Sequence, residues 1–176
     1  MPEDIRQCGF HMEKNGCATA CRQCGKDWMI LILRIKKTDE RAQLPTRSTA
    51  GSAGMDLHAL LDAPLTVQPG GRVSVPTGIA IGLPSPETVG LVFARSGLAV
   101  KHGLALSNGV GVIDSDYRGE IRVGMINQSD KAYTIEPGER IAQLVVMPVL
   151  LPEVAETDNL EETERGAGGF GSTGRN

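Results

Sequence analysis

Two eight-residue stretches of this 176-residue chain echo each other. Thr66-Val67-Gln68-Pro69-Gly70-Gly71-Arg72-Val73 matches Thr134-Ile135-Glu136-Pro137-Gly138-Glu139-Arg140-Ile141. Proline pre-sets φ for the second position of a type II turn and glycine supplies the positive φ of the third, so each copy predicts a tight turn between two strands. The pattern favours paired, hairpin-like elements of an all-β jelly roll or barrel. From Met29 onward the texture agrees. Short β-branched runs recur at Arg72–Val75, Ile79–Leu83, Val89–Phe93 and Ile141–Val149, separated by Gly, Pro or Asp turns. Alternation across Glu120–Ile126 puts Ile121, Val123 and Met125 on one strand face. Helical signal is confined to a turn or two over Ser96–His102 and stops at Gly103. Aromatic residues are only 3% of the chain, so the core must be aliphatic, and an aromatic outside it needs a reason.

Several function classes fall away. Hydrophobic residues at 40% and charged residues at 22% describe an ordinary globular chain of one domain. No apolar run approaches the length of a membrane span, and the first 28 residues lack the apolar centre of a signal peptide. The expectation is a cytoplasmic protein with no membrane partner. The net charge of −3 conceals an imbalance: residues 151–164 carry six acids and no base, leaving 15 acids against 18 bases elsewhere. A mildly basic body suits an anionic small molecule and is too weak for a nucleic-acid footprint.

All four cysteines (Cys8, Cys17, Cys21 and Cys24) fall in the first 24 residues, so disulfides do not hold the main fold. Their spacing ends in one knuckle-like pair, with His11 as a spare ligand, whereas a structural zinc site usually needs two such pairs. The competing readings of residues 1–28 are a disordered extension or a mis-assigned start ahead of Met29. The organisation expected is therefore that extension, a β domain over 29–150, an acidic linker over 151–164 and a glycine-rich tail over 165–176. A tail of that composition cannot bury a core, so any order it has must come from binding.

Chemistry-bearing residues cluster in short segments. In the tail, RGAGGFGSTG at 165–174, glycines expose backbone N–H groups, Ser172 and Thr173 add hydroxyls, and Arg165 adds a cationic fork. Together these suit phosphate oxygens, although the segment is not a Walker loop, and a merely flexible terminus competes. Phe170 offers a flat ring for stacking on a base. In GVIDSDYRGE at 111–120, a carboxylate of Asp114 or Asp116 held near a phosphorus could take a proton from water; the two would share a face in a strand. A simple Asp-rich turn is the alternative there. AGSAGMDLHA at 50–59 carries Asp56, and FARSGLA at 93–99 sets Arg95 and Ser96 before the short helix, where N–H groups favour anions. An ordinary Ser N-cap with an exposed Arg competes with that reading. Gln143 lies in a strand, where an amide more often braces backbone. His58 and His102 have no partner pattern.

Together and in this order, five segments (AGMDLHA, ARSGLA, GVIDSDYRGE, GERIAQLVV and RGAGGFGSTG) closely resemble the trimeric deoxyuridine triphosphate nucleotidohydrolases, over about Leu33 to Gly174. Ala94 departs from the proline many relatives carry before Arg-Ser-Gly, and the cysteine-bearing extension is not needed by the family core. The resemblance implies a jelly-roll (β-clip) subunit of a homotrimer with shared active sites and a flexible Gly-rich tail. It implies hydrolysis of dUTP to dUMP and pyrophosphate, limiting uracil in DNA and supplying dUMP for thymidylate synthesis. By carry-over, Asp114 would activate the water that attacks the α-phosphorus, and Tyr117 would pack on the deoxyribose and exclude a 2′-hydroxyl. Asn108 with Gly111, Val112 and Ile113 would bind uracil. Arg95, Ser96, Gly97 and Gln143 would hold the phosphates, with Arg165, Gly171, Ser172 and Thr173 closing over them and Phe170 stacking on the base. Magnesium would arrive on the triphosphate, held by Asp56 through water. Two rivals remain: the related dCTP deaminases, which need a glutamate near the base, and a non-catalytic nucleotide-binding trimer.

Overall fold

The computed structural model describes residues 31–169. The expectations placed on residues 1–28 and on Phe170, Gly171, Ser172 and Thr173 lie outside the described residues.

Four small antiparallel sheets share one core. In chain order the elements are β1 (Arg34–Lys37), β2 (Met55–His58), β3 (Leu65–Val67), β4 (Arg72–Pro76), β5 (Ile79–Gly82), β6 (Thr88–Ala94), α1 (Ser96–His102), β7 (Leu104–Leu106), β8 (Gly111–Ile113), β9 (Arg122–Asn127), β10 (Tyr133–Ile135) and β11 (Arg140–Pro148). The strands pair as β1–β5, β3–β10, β4–β9–β7 and β2–β11–β6–β8. Ile121, Val123 and Met125 are buried together, as alternation predicts. The largest fully buried side chains include Leu57, Ile79, Leu104, Met125, Ile135, Ile141 and Leu144, and among the described residues the core holds no aromatic ring. Deleting one of these, as in Ile135→Ala, costs about 2–5 kcal/mol through lost burial and the cavity left behind. A fully buried side-chain amide, Asn127, is satisfied: its Nδ2 donates to the Val67 and Lys131 carbonyls at 2.9 and 2.7 Å, and its Oδ1 accepts from Ser129 N at 3.0 Å.

Both Pro-Gly turns form. Gly70 and Gly138 have φ of 72° and 78°, and the closing bonds run from Gly71 N to Gln68 O at 2.8 Å and from Glu139 N to Glu136 O at 3.1 Å. The turns do not close hairpins, which corrects the expectation. Each carries the chain from the β3–β10 pair into a different sheet, β4 or β11. The two echoed copies instead pair with each other, Thr66 opposite Thr134 with their hydroxyls 2.9 Å apart. A turn fixes local direction, but the partner strand is chosen by which faces the core must cover.

The helix spans Ser96–His102 and ends on Gly103 at φ 66°, a left-handed cap that glycine adopts without a Cβ penalty. Residues 149–163 form no helix or strand and leave Leu150, Leu151, Val154 and Leu160 exposed. Among the described residues no helix is long and apolar enough to cross a membrane.

Candidate active site

Strand β6 has polar groups gathered at both ends. At its C-terminal end the chain leaves Ala94 for Arg95, which is the helix N-cap residue in an extended conformation. No side chain caps the helix, so Ser96 is its first residue rather than the N-cap expected of it. A Cβ on Gly97 would meet nothing within 4 Å, so this glycine faces open space. The Asp56 carboxylate, about 13% exposed, sits between two guanidiniums: Arg95 Nε is 3.0 Å from Oδ1, and Arg140 Nη1 donates to Oδ2 at 3.0 Å. Arg95 also donates from Nη1 to the Arg140 carbonyl at 3.1 Å. Gln143 lies opposite Asp56 in the β2–β11 ladder and donates from Nε2 to the Ala94 carbonyl at 3.0 Å. It braces the backbone that delivers Arg95, and its side chain lies across Gly54, where a Cβ would come within 2.5 Å of the amide oxygen.

His58 lines a different cavity, together with Gln43, Thr77 and Gly138. Its Nδ1 is buried without a partner, and burial holds the imidazole below its ordinary value. His102 stacks on Tyr133 with ring centroids 5.0 Å apart.

At the other end of β6, a cleft of about 220 Å³ is lined by Asn108, Gly111, Ile113, Asp114 and Tyr117 from one side and by Arg122 and Gly124 from the other. The cleft exists because β7 and β8 do not form a hairpin: β7 pairs with β9 and β8 with β6, so the chain crosses between sheets at 107–110. Strand β8 ends its sheet, so one row of its backbone N–H and C=O groups faces the cleft side without a partner strand. Such a row can read the edge of a planar heterocycle. Asp114 and Asp116 are not in a strand: β8 stops at Ile113, and Tyr117 N donates to the Asp114 carbonyl at 3.2 Å, closing a turn. Both carboxylates are exposed. The Tyr117 hydroxyl donates to the Glu120 carbonyl at 3.1 Å, and its ring lies over Gly119, where any Cβ would collide with the phenol.

The structure thus gathers Asp56, Arg95, Ser96, Gly97 and Gln143 in one place and Asn108 to Tyr117 in another, and it does not bring the two together. Gly90 pairs with Ile113, the last residue of β8, five residues from Arg95 along the chain of β6, and Asp114 leaves the sheet just beyond it. Those five residues span roughly 17 Å at about 3.3 Å per strand residue. Arg165 stands apart in an exposed turn, its Nε donating to the Gly168 carbonyl at 2.9 Å. The residue that sequence reasoning missed is Arg140. It stood in the GERIAQLVV segment, but its place on Asp56 depends on strand pairing.

Among the described residues no three His, Cys, Asp or Glu side chains converge on a metal-sized site. Asp56 Oδ1 keeps a lone pair beyond the Arg95 guanidinium, while Oδ2 takes Arg140 and, at 3.4 Å, the Ser48 hydroxyl. The residues therefore fit a magnesium ion held through water while other groups supply its ligands, as that ion prefers, and do not fit an all-protein cage.

Comparison with known proteins gives the family and the fold. A family model for dUTPase matches residues 40–174. The deoxyuridine 5'-triphosphate nucleotidohydrolase of Desulfitobacterium hafniense (strain DSM 10664 / DCB-2) is 56% identical over 145 residues, covering 82% of this chain and 95% of that protein. Among solved structures, the Staphylococcus bacteriophage 80alpha dUTPase with dUPNHPP aligns with a TM-score of 0.74 at 29% identity, over 82% of this chain and 99% of that one. A mutant dUTPase from phage phi11 of S. aureus, described with a structural Mg(II) ion, aligns with a TM-score of 0.67 at 24% identity, over 74% of this chain and 99% of that one, a likeness of fold alone. By the extent of the family match and the identity to its relatives, this chain belongs to the dUTPase family.

Proposed function

We propose that this chain hydrolyses dUTP to dUMP and pyrophosphate at sites shared between copies of itself. The observation that carries the reading is the cleft between β8 and β9, which sets a carboxylate, Asp114, beside an unpaired strand edge and a tyrosine ring. Uracil would lie against β8 with Asn108, and Tyr117 would pack on the deoxyribose and leave no room for a 2′-hydroxyl. Cytosine is rejected because its reversed donor pattern leaves buried groups unpaired. Asp114 takes a proton from water as that water attacks the α-phosphorus; the bond from the α-phosphorus to the bridging oxygen breaks and pyrophosphate leaves. Arg95, Ser96 and Gly97 bind the phosphate oxygens, and Gln143 fixes Arg95 through the Ala94 carbonyl. Magnesium bound to the triphosphate would neutralise phosphate charge, with Asp56 accepting hydrogen bonds from its waters. Arg165, Gly171, Ser172 and Thr173 close over the phosphates, with Phe170 on the base, and exclude bulk water.

The separation along β6 supports an assembly of copies, for which the family resemblance implies a homotrimer: with the end of β8 roughly 17 Å from Arg95 along one chain, a triphosphate reaching both would take Arg95 from a neighbour. The exposed Leu150, Leu151 and Val154 are apolar surface such an assembly would cover.

Pyrophosphate release with magnesium tests the reading, comparing dUTP with dTTP, dCTP and UTP. Turnover of dUTP alone supports it; ammonia release from dCTP would favour a deaminase, and binding of dUTP without turnover a sensor. Light scattering should report three copies of the 18.7 kDa chain. Removing residues 165–176 should leave that trimer folded and nearly abolish turnover.

A further inference from the structure

We propose that Arg140 is a positioning residue for phosphate recognition, holding the Asp56 carboxylate in the orientation that fixes the Arg95 guanidinium. The inference deepens the function proposed above and rests on it. Three observations carry it. Arg140 and Arg95 take one oxygen each of the same carboxylate, both at 3.0 Å, so Asp56 is a bridge between two cations rather than the partner of one. The Arg95 guanidinium is held at Nε by that carboxylate and at Nη1 by the Arg140 carbonyl at 3.1 Å, which leaves Nη2 free of contacts within this cluster.

The third observation is the backbone device that makes the bridge. Residues 140 and 143 are three apart and would face opposite sides of a regular strand. The β2–β11 ladder instead shifts register between Arg140 and Ala142: Arg140 pairs with His58, Ala142 with Leu57 and Gln143 with Asp56. The extra residue is a β-bulge, and it turns Arg140 onto the face that carries Asp56 and Gln143. Ile141 and Ala142, on either side of the shift, are both fully buried. The echoed copy of the same sequence has no bulge. Its Arg72 pairs in register with Ile126 and is exposed.

The test measures binding of dUMP and of a non-hydrolysable α,β-imido analogue of dUTP, by calorimetry on the full-length protein, for wild type, Arg140→Ala, Arg140→Lys and the control Arg72→Ala. The expected result for Arg140→Ala is a loss of analogue affinity of about tenfold or more, the scale of a charged hydrogen bond to phosphate, with dUMP affinity unchanged. Arg140→Lys keeps the charge with a single donor group and should recover part of the loss, and KM for dUTP should follow the analogue. Arg72→Ala should match wild type. Equal affinities in wild type and Arg140→Ala would overturn the inference, as would parallel loss of dUMP and analogue, which signals general damage. Should Arg140→Ala fail to fold, Arg140→Lys decides, with wild-type analogue affinity counting against positioning. Failure of wild type to bind the analogue would overturn the functional reading itself.

Discussion

The two ends of strand β6 do different physical work. At the Arg95 end the groups are fixed: a largely buried carboxylate spans two guanidiniums, and an amide braces the carbonyl before Arg95. At the Val89 end the groups are exposed, with Asp114 in a turn beyond an edge strand and Tyr117 about 46% exposed. A site for highly charged oxygens gains from donors whose orientation is set before the ligand arrives. A cleft for a flat base gains from an open strand edge, because pairing that edge with another strand would consume the groups that read the base. Since one strand holds both ends apart, the proposed site draws each end from a different copy.

The sharpest way to break this contrast is complementation. Asp114→Asn should retain dUTP binding and lose about 10²–10⁴-fold in kcat, the usual worth of a general base. Arg95→Ala should weaken dUTP binding about 10–150-fold, as expected for a charged hydrogen bond. Co-expressing the two impaired variants should restore wild-type behaviour in about a quarter of the sites, those drawing each end from an intact copy. No recovery in isolated mixed trimers would mean that one chain completes its own site.

Next in size is Gly54→Ala, which drives a methyl to 2.5 Å from the Gln143 amide oxygen. Overpacking of this kind costs about 1–3 kcal/mol, and the damage should appear in KM for dUTP while dUMP binding persists. At the other end, Gly119→Ala displaces the Tyr117 ring. Discrimination between dUTP and UTP should relax by about tenfold in kcat/KM ratios, with little change in melting temperature because the ring is exposed.

The smallest effect concerns His58. Burial holds its imidazole below the ordinary 6.5, so the unfolded chain binds a proton that the folded chain resists. The neutral imidazole's contribution is complete above about pH 7 and declines as pH falls through 6.5. Melting curves at pH 7.5 and 5.5 should therefore differ less for His58→Asn than for wild type, and an unchanged difference would remove His58 as a cause.

Much of the fold was legible. Ser96–His102 with its Gly103 stop, the strand at Arg122–Asn127 and both Pro-Gly turns rest on interactions within a few residues, where side-chain type dictates backbone shape. Asp114 and Asp116 take the turn alternative rather than a shared strand face, because β8 ends at Ile113 and the sequence does not mark where it loses its partner β6. Arg140 went unnoticed because its role depends on a register shift against β2, more than 80 positions away.

The echoed segments show where the division lies. Sequence alone determined that both would turn at Pro-Gly and run on into strands through an arginine, since φ preferences and β-branching are properties of the residues themselves. Tertiary structure decided that Arg72 enters a regular ladder beside β9 while Arg140 enters a bulged one beside β2 and meets Asp56. Strand partners are selected by burial of whole faces, a sum over the core that no eight-residue stretch contains.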